Sequence, residues 1–566
     1  MEVISEYAVR FSGFALPVLA LWLLVRCVQS MLREKYEPEM WAYFDTGSER
    51  AIIKHWEGII GRAKSCDIVI NRASVSKTQA ALLRSSSGGW IIYDLDPSTG
   101  MTVQDQPDSG DGLQLHDGDT LKIADVSMVF KSLSSGQQEA VSKERKAPGA
   151  FVNPGISMFI LTAFQALLVL QFSAVLPRED ALFTALAFLA LIIIEWCYYL
   201  VMRAINRSGF EPELIAFFLS TLGLCVVATT GTDGLLKQLL ILLAAMAVFI
   251  FLGFWLRDLG RAKATRWVFG ALALALLAVN LLIGIETHGA RNWISVGPFT
   301  LQPSEFVKVL YIYAGAASLD RLFRGRNLFM FIGFSAACVG ALALMGDFGT
   351  ALIFFSTFLV ISFMRSGNLA TVILAVSAAA LAGFLVLTAK PYAMARFATW
   401  GSIWLDPYGA GFQQTRALSA AASGGFFGVG AGGGWLHEIF AAETDMVFCL
   451  IAEELGLIIA ICAVLCVVVL ALFTVKNAAA GRSSFYVIAA CAATSMMMIQ
   501  LSLNVFGSVD LIPFTGVTFP FVSVGGSSFI CCWGLLAFIK ASDTRQDASF
   551  SVKSGAKMAK KKGGGK

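Results

Sequence analysis

Four carboxylates crowd the stretch "AAETDMVFCLIAEELG": Glu443, Asp445, Glu453 and Glu454 lead into an apolar run that continues to Phe473. A carboxylate carried toward hydrocarbon is costly and is usually kept for function, so each of these needs a compensating group. Asp445, at the head of the run, has the chemistry of a general base. It, or Thr444 before it, could equally cap the following helix, a contribution of about 1 kcal/mol. On a continuous helix Glu453 lies about 12 Å deeper and roughly 80° round from Asp445, with Glu454 near the opposite face. One of the pair can then share a cavity with Asp445, and Arg396 and Lys308 are the expected compensators. In "QPSEFVK", Glu305 and Lys308 are spaced to share one helix face and pair, behind a Pro303 suited to a helix start.

These residues need a membrane scaffold to hold them. The 566-residue chain is 57% hydrophobic and 14% charged, with mean hydropathy +0.70, more apolar than a soluble core requires. A net charge of +4 gives no reason to expect nucleic acid as a partner. The eleven cysteines lie mostly in apolar segments without metal-binding spacing, and the four histidines are scattered.

Residues 8–31 read as an uncleaved transmembrane anchor, since no small-residue cleavage site follows. Apolar stretches of spanning length recur at 155–176, 181–202, 214–231, 236–256, 267–285, 304–322, 328–345, 349–364, 369–389, 446–473, 484–503 and 527–541. The expected fold is therefore a polytopic α-helical membrane protein with an all-β domain between the anchor and the other spans. Basic residues gather on every second loop, at Arg203, Arg257, Lys263, Arg324, Arg365, Arg482 and the tail 542–566. By the positive-inside rule this puts the β-domain and C-terminus in the cytoplasm, the N-terminus outside, and Asp445 at the outer face.

The β-domain, 45–135, has strand-like runs "CDIVI", "GWIIYDL" and "TLKIADVSMVF" between Gly, Ser and Asp turns, and 136–154 reads as a linker. The order Gly61-Arg62, Val75-Ser76, Asp94-Leu95, Gly100 and Asp117-Gly118-Asp119 resembles a forkhead-associated (FHA) domain. That resemblance implies a phosphothreonine protein as partner, held by charge-assisted bonds from Arg62, Ser76 and Lys77. Two positions depart from the pattern: Gln79 stands where the family has a structural histidine, and Thr99 where it has a peptide-holding asparagine, so a domain that keeps the fold but binds nothing phosphorylated fits as well.

"RNWISVGPFTLQPSEFVKV", "GDFGTALI", the stretch from Lys390 to Gly434, "AAETDMVFCLIAEELG" and "FTGVTFPFVSVGGSS" occur in the order of the SEDS family (FtsW, RodA, SpoVE), which resembles this chain over 214–541. The resemblance implies a ten-span core, making the spans at 155–202 additions. It also implies an inverting peptidoglycan glycosyltransferase of the bacterial cytoplasmic membrane, acting on lipid II beside a class B penicillin-binding transpeptidase. Asp445 then matches the catalytic aspartate. Glu305 and Lys308, with Gln302 beside them, match positions that line the headgroup cavity, though the pair could be a local ion pair at a helix end, and Glu453 matches a structural or cavity-lining position. Trp293 could stack on sugar or simply sit at the membrane interface, and Arg396 and Arg416 suit a pyrophosphate, although either could instead pair with Asp406 or Glu438. Asp347 is expected to tie helix ends, and the glycine-rich "SGGFFGVGAGGG" to serve close backbone packing, because it lacks the GK[ST] of a P-loop.

"FAAETD" departs from many relatives. Glu443 could raise the proton affinity of Asp445 or join it on a divalent cation, magnesium or manganese. No ligand cluster identifies a metal site, and no organic cofactor is expected. Two other readings fit the same residues: a lipid II flippase, whose path would use intramembrane charges on broken spans, and a non-catalytic scaffold reading a phosphorylated partner.

Overall fold

The computed structural model describes residues 2–33, 40–47, 49–64, 66–85, 88–108, 110–133, 137, 152–287, 290–296, 299–319, 325–366, 369–389, 391–545 and 548–550. Most of the 136–154 linker and the tail beyond 550 lie outside the described residues.

Helix α1 (Glu2–Arg33) leads into a sandwich of eleven strands. These are β1 (Ala42–Asp45), β2 (Arg50–Ile53), β3 (Glu57–Gly61), β4 (Ile68–Val69), β5 (Ala80–Arg84), β6 (Trp90–Asp94), β7 (Met101–Val103), β8 (Gln106–Pro107), β9 (Leu113–Leu115), β10 (Thr120–Ile123) and β11 (Val126–Ser132). One sheet runs β2-β1-β11-β10-β7-β8 and the other β4-β3-β5-β6-β9. Alternating inward residues build its core: Phe44 faces Phe130 across the β1–β11 ladder, and Ile60, Leu82, Ile92 and Leu121 fill the space between sheets.

The helical body follows. Asn153 caps α2 (Pro154–Val175) by accepting from the Gly155 amide at 2.9 Å, with Pro154 at the first helical position. Then come α3 (Arg178–Ala204), α4 (Glu211–Thr230), α5 (Leu235–Trp255) and α6 (Leu259–Ile283), capped by Asp258. The connection to the next helix forms a three-stranded meander, β12 (Ile285–Thr287), β13 (Ala290–Val296) and β14 (Phe299–Leu301). Beyond it lie α7 (Pro303–Leu319), α8 (Gly325–Met345), α9 (Phe348–Ser366), α10 (Leu369–Ala389), α11 (Pro391–Thr399), α12 (Phe412–Gly424), α13 (Ala442–Asp445), α14 (Val447–Glu454), α15 (Leu457–Ala478), α16 (Ser484–Ser508) and α17 (Gly526–Ser542). Among the described residues eight helices are long and apolar enough to cross a membrane.

Helix α4 is the central post. It is 94% buried over its apolar window, whereas α6 is only 22% buried and turns most of its surface outward. Apolar surface gains little by leaving lipid, so helix association here depends on packing and on polar contacts. Tyr198 donates to Glu213 at 3.0 Å, Lys540 pairs with Glu213 at 3.0 Å, and Arg545 pairs with Glu211 at 2.8 Å. Asp543–Arg545 and Ala548–Phe550, assigned from the sequence to a basic tail, are in fact buried: Phe550 packs on Gly253, and its carbonyl accepts from Arg257 at 2.5 Å.

The span expected at 446–473 is broken. It divides into α14 and α15 at Leu455-Gly456, where Gly456 has φ +92°. The glycine-rich loop fills the break: the amides of Val429 and Gly430 donate to the carbonyls of Glu453 and Glu454, both at 2.9 Å, and Leu457 donates back to Gly425 at 3.0 Å. This close approach explains the glycines. A Cβ on Gly424 would stand 2.2 Å from the Ala452 carbonyl oxygen, and one on Gly428, where φ is +81°, would stand 2.1 Å from that of Glu454. Gly428→Ala combines backbone strain with overlap, so it is expected to cost about 2 kcal/mol or more. Thermal unfolding of the detergent-solubilised protein measures this, with Gly340→Ala, which meets open space within 4 Å, as the control.

Candidate functional site

Asp445 ends the one-turn helix α13, just before the backbone turns at Met446 (φ −119°) into α14. Neither α13 nor α14 has a side-chain cap, so the capping role open to Asp445 in the sequence is not taken. Its backbone is pinned from two directions. From α16, the buried Asn504 donates its Nδ2 to the carbonyls of Asp445 at 3.1 Å, Val517 at 2.7 Å and Thr444 at 3.4 Å. From the segment before α17, Ser523 Oγ donates to the Thr444 carbonyl at 2.6 Å and the Val524 amide to that of Glu443 at 2.9 Å. Gly516, in the left-handed region at φ +66°, lets its chain pass the carboxylate, since a Cβ there would lie 3.1 Å from Asp445 Oδ2.

The carboxyl is only half-buried, yet packing around it pushes its pKa up to about 6. A hydrogen bond from Thr444 and the charge of Arg396 oppose that rise, and Glu443 adds to it. Arg396, exposed at the end of α11, donates to the Thr515 carbonyl at 3.3 Å. Arg416 on α12 donates to the Pro407 carbonyl at 2.8 Å and lies over Tyr408 and Phe412, rather than taking the alternative pairing with Asp406 or Glu438.

The compensators expected for the deeper carboxylates are corrected. Glu453 accepts from the amides of Trp435 and Leu436, each at 3.0 Å, so both of its oxygens face backbone. Glu454 Oε2 accepts from Thr229 Oγ1 at 2.8 Å and the Gly432 amide at 3.1 Å. Main-chain amides of the glycine-rich loop thus replace Arg396 and Lys308, because a turn of small residues can aim several donors at one side chain. Lys308 is taken by its own helix neighbour: its Nζ lies 2.8 and 2.9 Å from the Glu305 oxygens and donates to Gln500 at 2.9 Å, all buried.

Gln302 and Asn292 donate to Asp347 at 3.4 Å, and Asp347 also accepts from the Thr350 amide at 3.0 Å, tying the meander to the start of α9. Trp293 is half-buried on β13 of the same meander. Gln500 and Asn504 escaped the sequence reading. Two amide side chains four residues apart in the apolar "MMMIQLSLNVFGS" were the available signal, since they share a helix face in a setting where polar residues bond across helices.

In the sandwich, Ser76 Oγ donates to the Asp96 carboxylate and lies 3.0 Å from Thr99 Oγ1, while Arg62 and Lys77 are exposed beside it. The Arg62 amide donates to the Ser76 carbonyl at 2.9 Å. Gly61 is required here, because a Cβ would lie 2.5 Å from the Lys77 carbonyl oxygen. The buried Gln79 donates to Asp94 Oδ1 and the Asp96 carbonyl, both at 3.0 Å, and so fastens the loop that carries Thr99. Hydrogen bonds from Ser76 and Ser98 hold the Asp96 carboxyl below the ordinary range, so it is anionic.

This geometry defines a polytopic membrane protein with a half-buried acid at the junction of two helical segments, joined to a β-sandwich presenting an Arg-Ser-Thr loop cluster. Residues 213–547 match the family described as cell cycle proteins, FtsW/RodA/SpoVE, and residues 58–124 match the FHA domain. The chain belongs to the FtsW/RodA/SpoVE family. Among similar proteins are the peptidoglycan glycosyltransferase RodA of Mycobacterium tuberculosis, 29% identical over 54% of this chain and 69% of that protein, and the stage V sporulation protein E of Bacillus subtilis, 34% identical over 44% and 69%. The probable peptidoglycan glycosyltransferase FtsW of Pseudomonas fluorescens is 32% identical over 48% and 69%. A solved chain from a peptidoglycan synthase complex is 27% identical, with TM-score 0.48 over 59% of this chain and 97% of that one.

The raised pKa of Asp445 has a stability consequence. An acid titrating higher in the folded than in the unfolded state binds more protons when folded, so stability falls as pH rises from about 4 to about 6 and the loss persists above. Allowing for screening through its open side, the loss is about 2 kcal/mol. Asp445→Asn is therefore expected to melt several degrees higher than wild type at pH 8 and equally at pH 4, measured by thermal scans at both values. Equal melting at pH 8 would mean the carboxyl is not desolvated.

Proposed function

We propose that this chain is a peptidoglycan glycosyltransferase that joins lipid II units into β-1,4-linked glycan at the outer face of the cytoplasmic membrane, its FHA domain facing the cytoplasm. One observation carries the reading: Asp445 has its main chain fixed from both sides while the residue stays half-buried, and packing raises its pKa to about 6. A base with such a pKa is ionised at neutral pH yet retains proton affinity. The acceptor sugar's 4-hydroxyl gives its proton to Asp445 as its oxygen attacks the anomeric carbon of the donor. The bond from that carbon to the undecaprenyl pyrophosphate breaks, and the pyrophosphate leaves with the electron pair. The external guanidiniums of Arg396 and Arg416 are assigned to that growing charge. Any divalent cation would be held by Asp445 or Glu443 together with pyrophosphate oxygens, since among the described residues no three His, Cys, Asp or Glu side chains converge.

The names of relatives near 30% identity support this activity, and the clustering of Arg257, Lys263 and Arg482 on the side of the sandwich supports the orientation. A class B transpeptidase that cross-links the new strand is the expected partner outside, and a phosphothreonine protein the expected partner at Arg62, Ser76, Lys77 and Thr99.

Purified protein is expected to produce glycan ladders from lipid II, with Asp445→Asn at least about 100-fold slower. The wild-type rate should fall about tenfold per pH unit below pH 6, as the base becomes protonated. Transport of labelled lipid II across vesicles without ladders would favour the flippase instead. At the FHA site Asp96 holds the serine that a phosphate needs and repels the phosphate itself. Asp96→Asn is expected to tighten binding of a phosphothreonine peptide library about fivefold, and Arg62→Ala to abolish it, as read by fluorescence anisotropy.

A further inference from the structure

Helix α16 is one unbroken helix of 25 residues whose two ends are held by different domains. Near its far end Gln500 holds Lys308, and Asn504 holds the carbonyl of Asp445. Its first turn is held by the sandwich. Glu57, the first residue of β3, is nearly buried; its carboxylate accepts from Ser483 Oγ at 3.0 Å, from the Ser484 amide at 3.1 Å and from Ser484 Oγ, with Lys263 Nζ at 3.5 Å. A carboxylate at this position also meets the positive end of the helix dipole.

The flanking residues extend the contact. The Trp56 amide donates to the Arg482 carbonyl at 2.6 Å, His55 Nδ1 lies 2.6 Å from the Gly481 carbonyl oxygen, and the Trp56 ring meets that of Tyr486 edge-on at 6.1 Å. Tyr486 in turn donates to the Leu256 carbonyl at 2.6 Å. The sandwich is therefore seated on the turn between α15 and α16. β3 runs from this seat to Gly61, and Arg62 follows immediately. A single five-residue strand thus joins the seat to the loop assigned to phosphopeptide.

We propose that Glu57, although it belongs to the FHA domain, is a positioning residue of the polymerase. By fixing the first turn of α16 it sets where Asn504 and Gln500 hold Asp445 and Lys308. Occupation of the Arg62 loop then bears on the polymerase site through β3 and α16. The kinetic side of this proposal rests on the glycosyltransferase reading; the structural side does not.

The test uses the full chain in lipid vesicles, comparing wild type with Glu57→Ala and Glu57→Gln. Three quantities are read: kcat and KM for lipid II polymerisation, hydrogen exchange over 442–446 and 481–484, and melting temperature. Glu57→Ala is expected to lower kcat about tenfold with KM for lipid II within about twofold, and to speed exchange at both segments with little change in melting. Glu57→Gln, which keeps an oxygen for the Ser484 amide, is expected to retain at least half of wild-type kcat. If Glu57→Ala opens 481–484 to exchange while 442–446 and kcat stay at wild-type values, the proposal is overturned. Should Glu57→Ala fail to fold, Lys263→Ala takes its place with the same two segments deciding. A wild-type protein that makes no glycan would sink the glycosyltransferase reading alone, because exchange at 442–446 still decides the coupling.

Discussion

A charge withdrawn into an apolar body must find donors, and here the donors are main-chain amides. Glu453 is satisfied by the loop 432–436, which also donates to one oxygen of Glu454 beside Thr229, and the glycines before it lie against the backbone of α14 closely enough to exchange hydrogen bonds with it. The break at Leu455-Gly456 and the glycine-rich loop are therefore one structure. The break leaves carbonyls without intrahelical partners, the loop supplies amides to them, and the two carboxylates lock the loop in place. At the other end of α14 the turn at Met446 separates it from α13, so Asp445 also stands at a junction between segments rather than along a wall of a continuous span.

The elements outside the family match converge on the same loop. Phe14 of α1 packs on Phe427 with ring centroids 4.5 Å apart, Gln171 of α2 accepts from the Ala431 amide at 3.0 Å, and Phe172 lies where a Cβ on Gly432 would meet it at 3.3 Å. α2 and α3 are themselves fastened to the central post, since the buried Gln165 donates to Glu195 and to Thr221, each at 2.9 Å. The additional spans therefore act as a brace behind the loop. This gives a local reason for their presence beside an otherwise family-like core.

What could be read from the sequence follows from which interactions leave a residue-level trace. Spans were legible because an apolar run of the right length has few alternatives; α10 and α2 fall within a residue of where hydropathy puts them. The sandwich was legible from turn residues and alternation, and the Glu305–Lys308 pair from helix spacing. The break at Gly456 was not, because a single glycine inside an apolar run is common in membrane helices. The partners of Glu453 and Glu454 were hidden for a different reason. Matching charge to charge pointed to Arg396 and Lys308, whereas a main-chain amide carries no side-chain signature. The seat of the sandwich on α16 was equally silent, since Glu57 looks like any surface strand glutamate until its serine partners are brought to it.

Glu453 and Asp445 are treated in opposite ways, and the contrast bears on which of them does chemistry. Glu453 has both oxygens on backbone donors, while the deeper Glu454 has two donors on one oxygen and none on the other. Asp445 is handled differently: bonds from Asn504 and Ser523 fix the main chain around it, while the carboxyl is left with a threonine hydroxyl and the more distant charge of Arg396. A residue kept only for folding would gain more from donors on its charged end than on its carbonyl. Holding the backbone still while leaving the acid under-satisfied costs stability and preserves proton affinity, the combination expected of a group that must take up a proton and release it again.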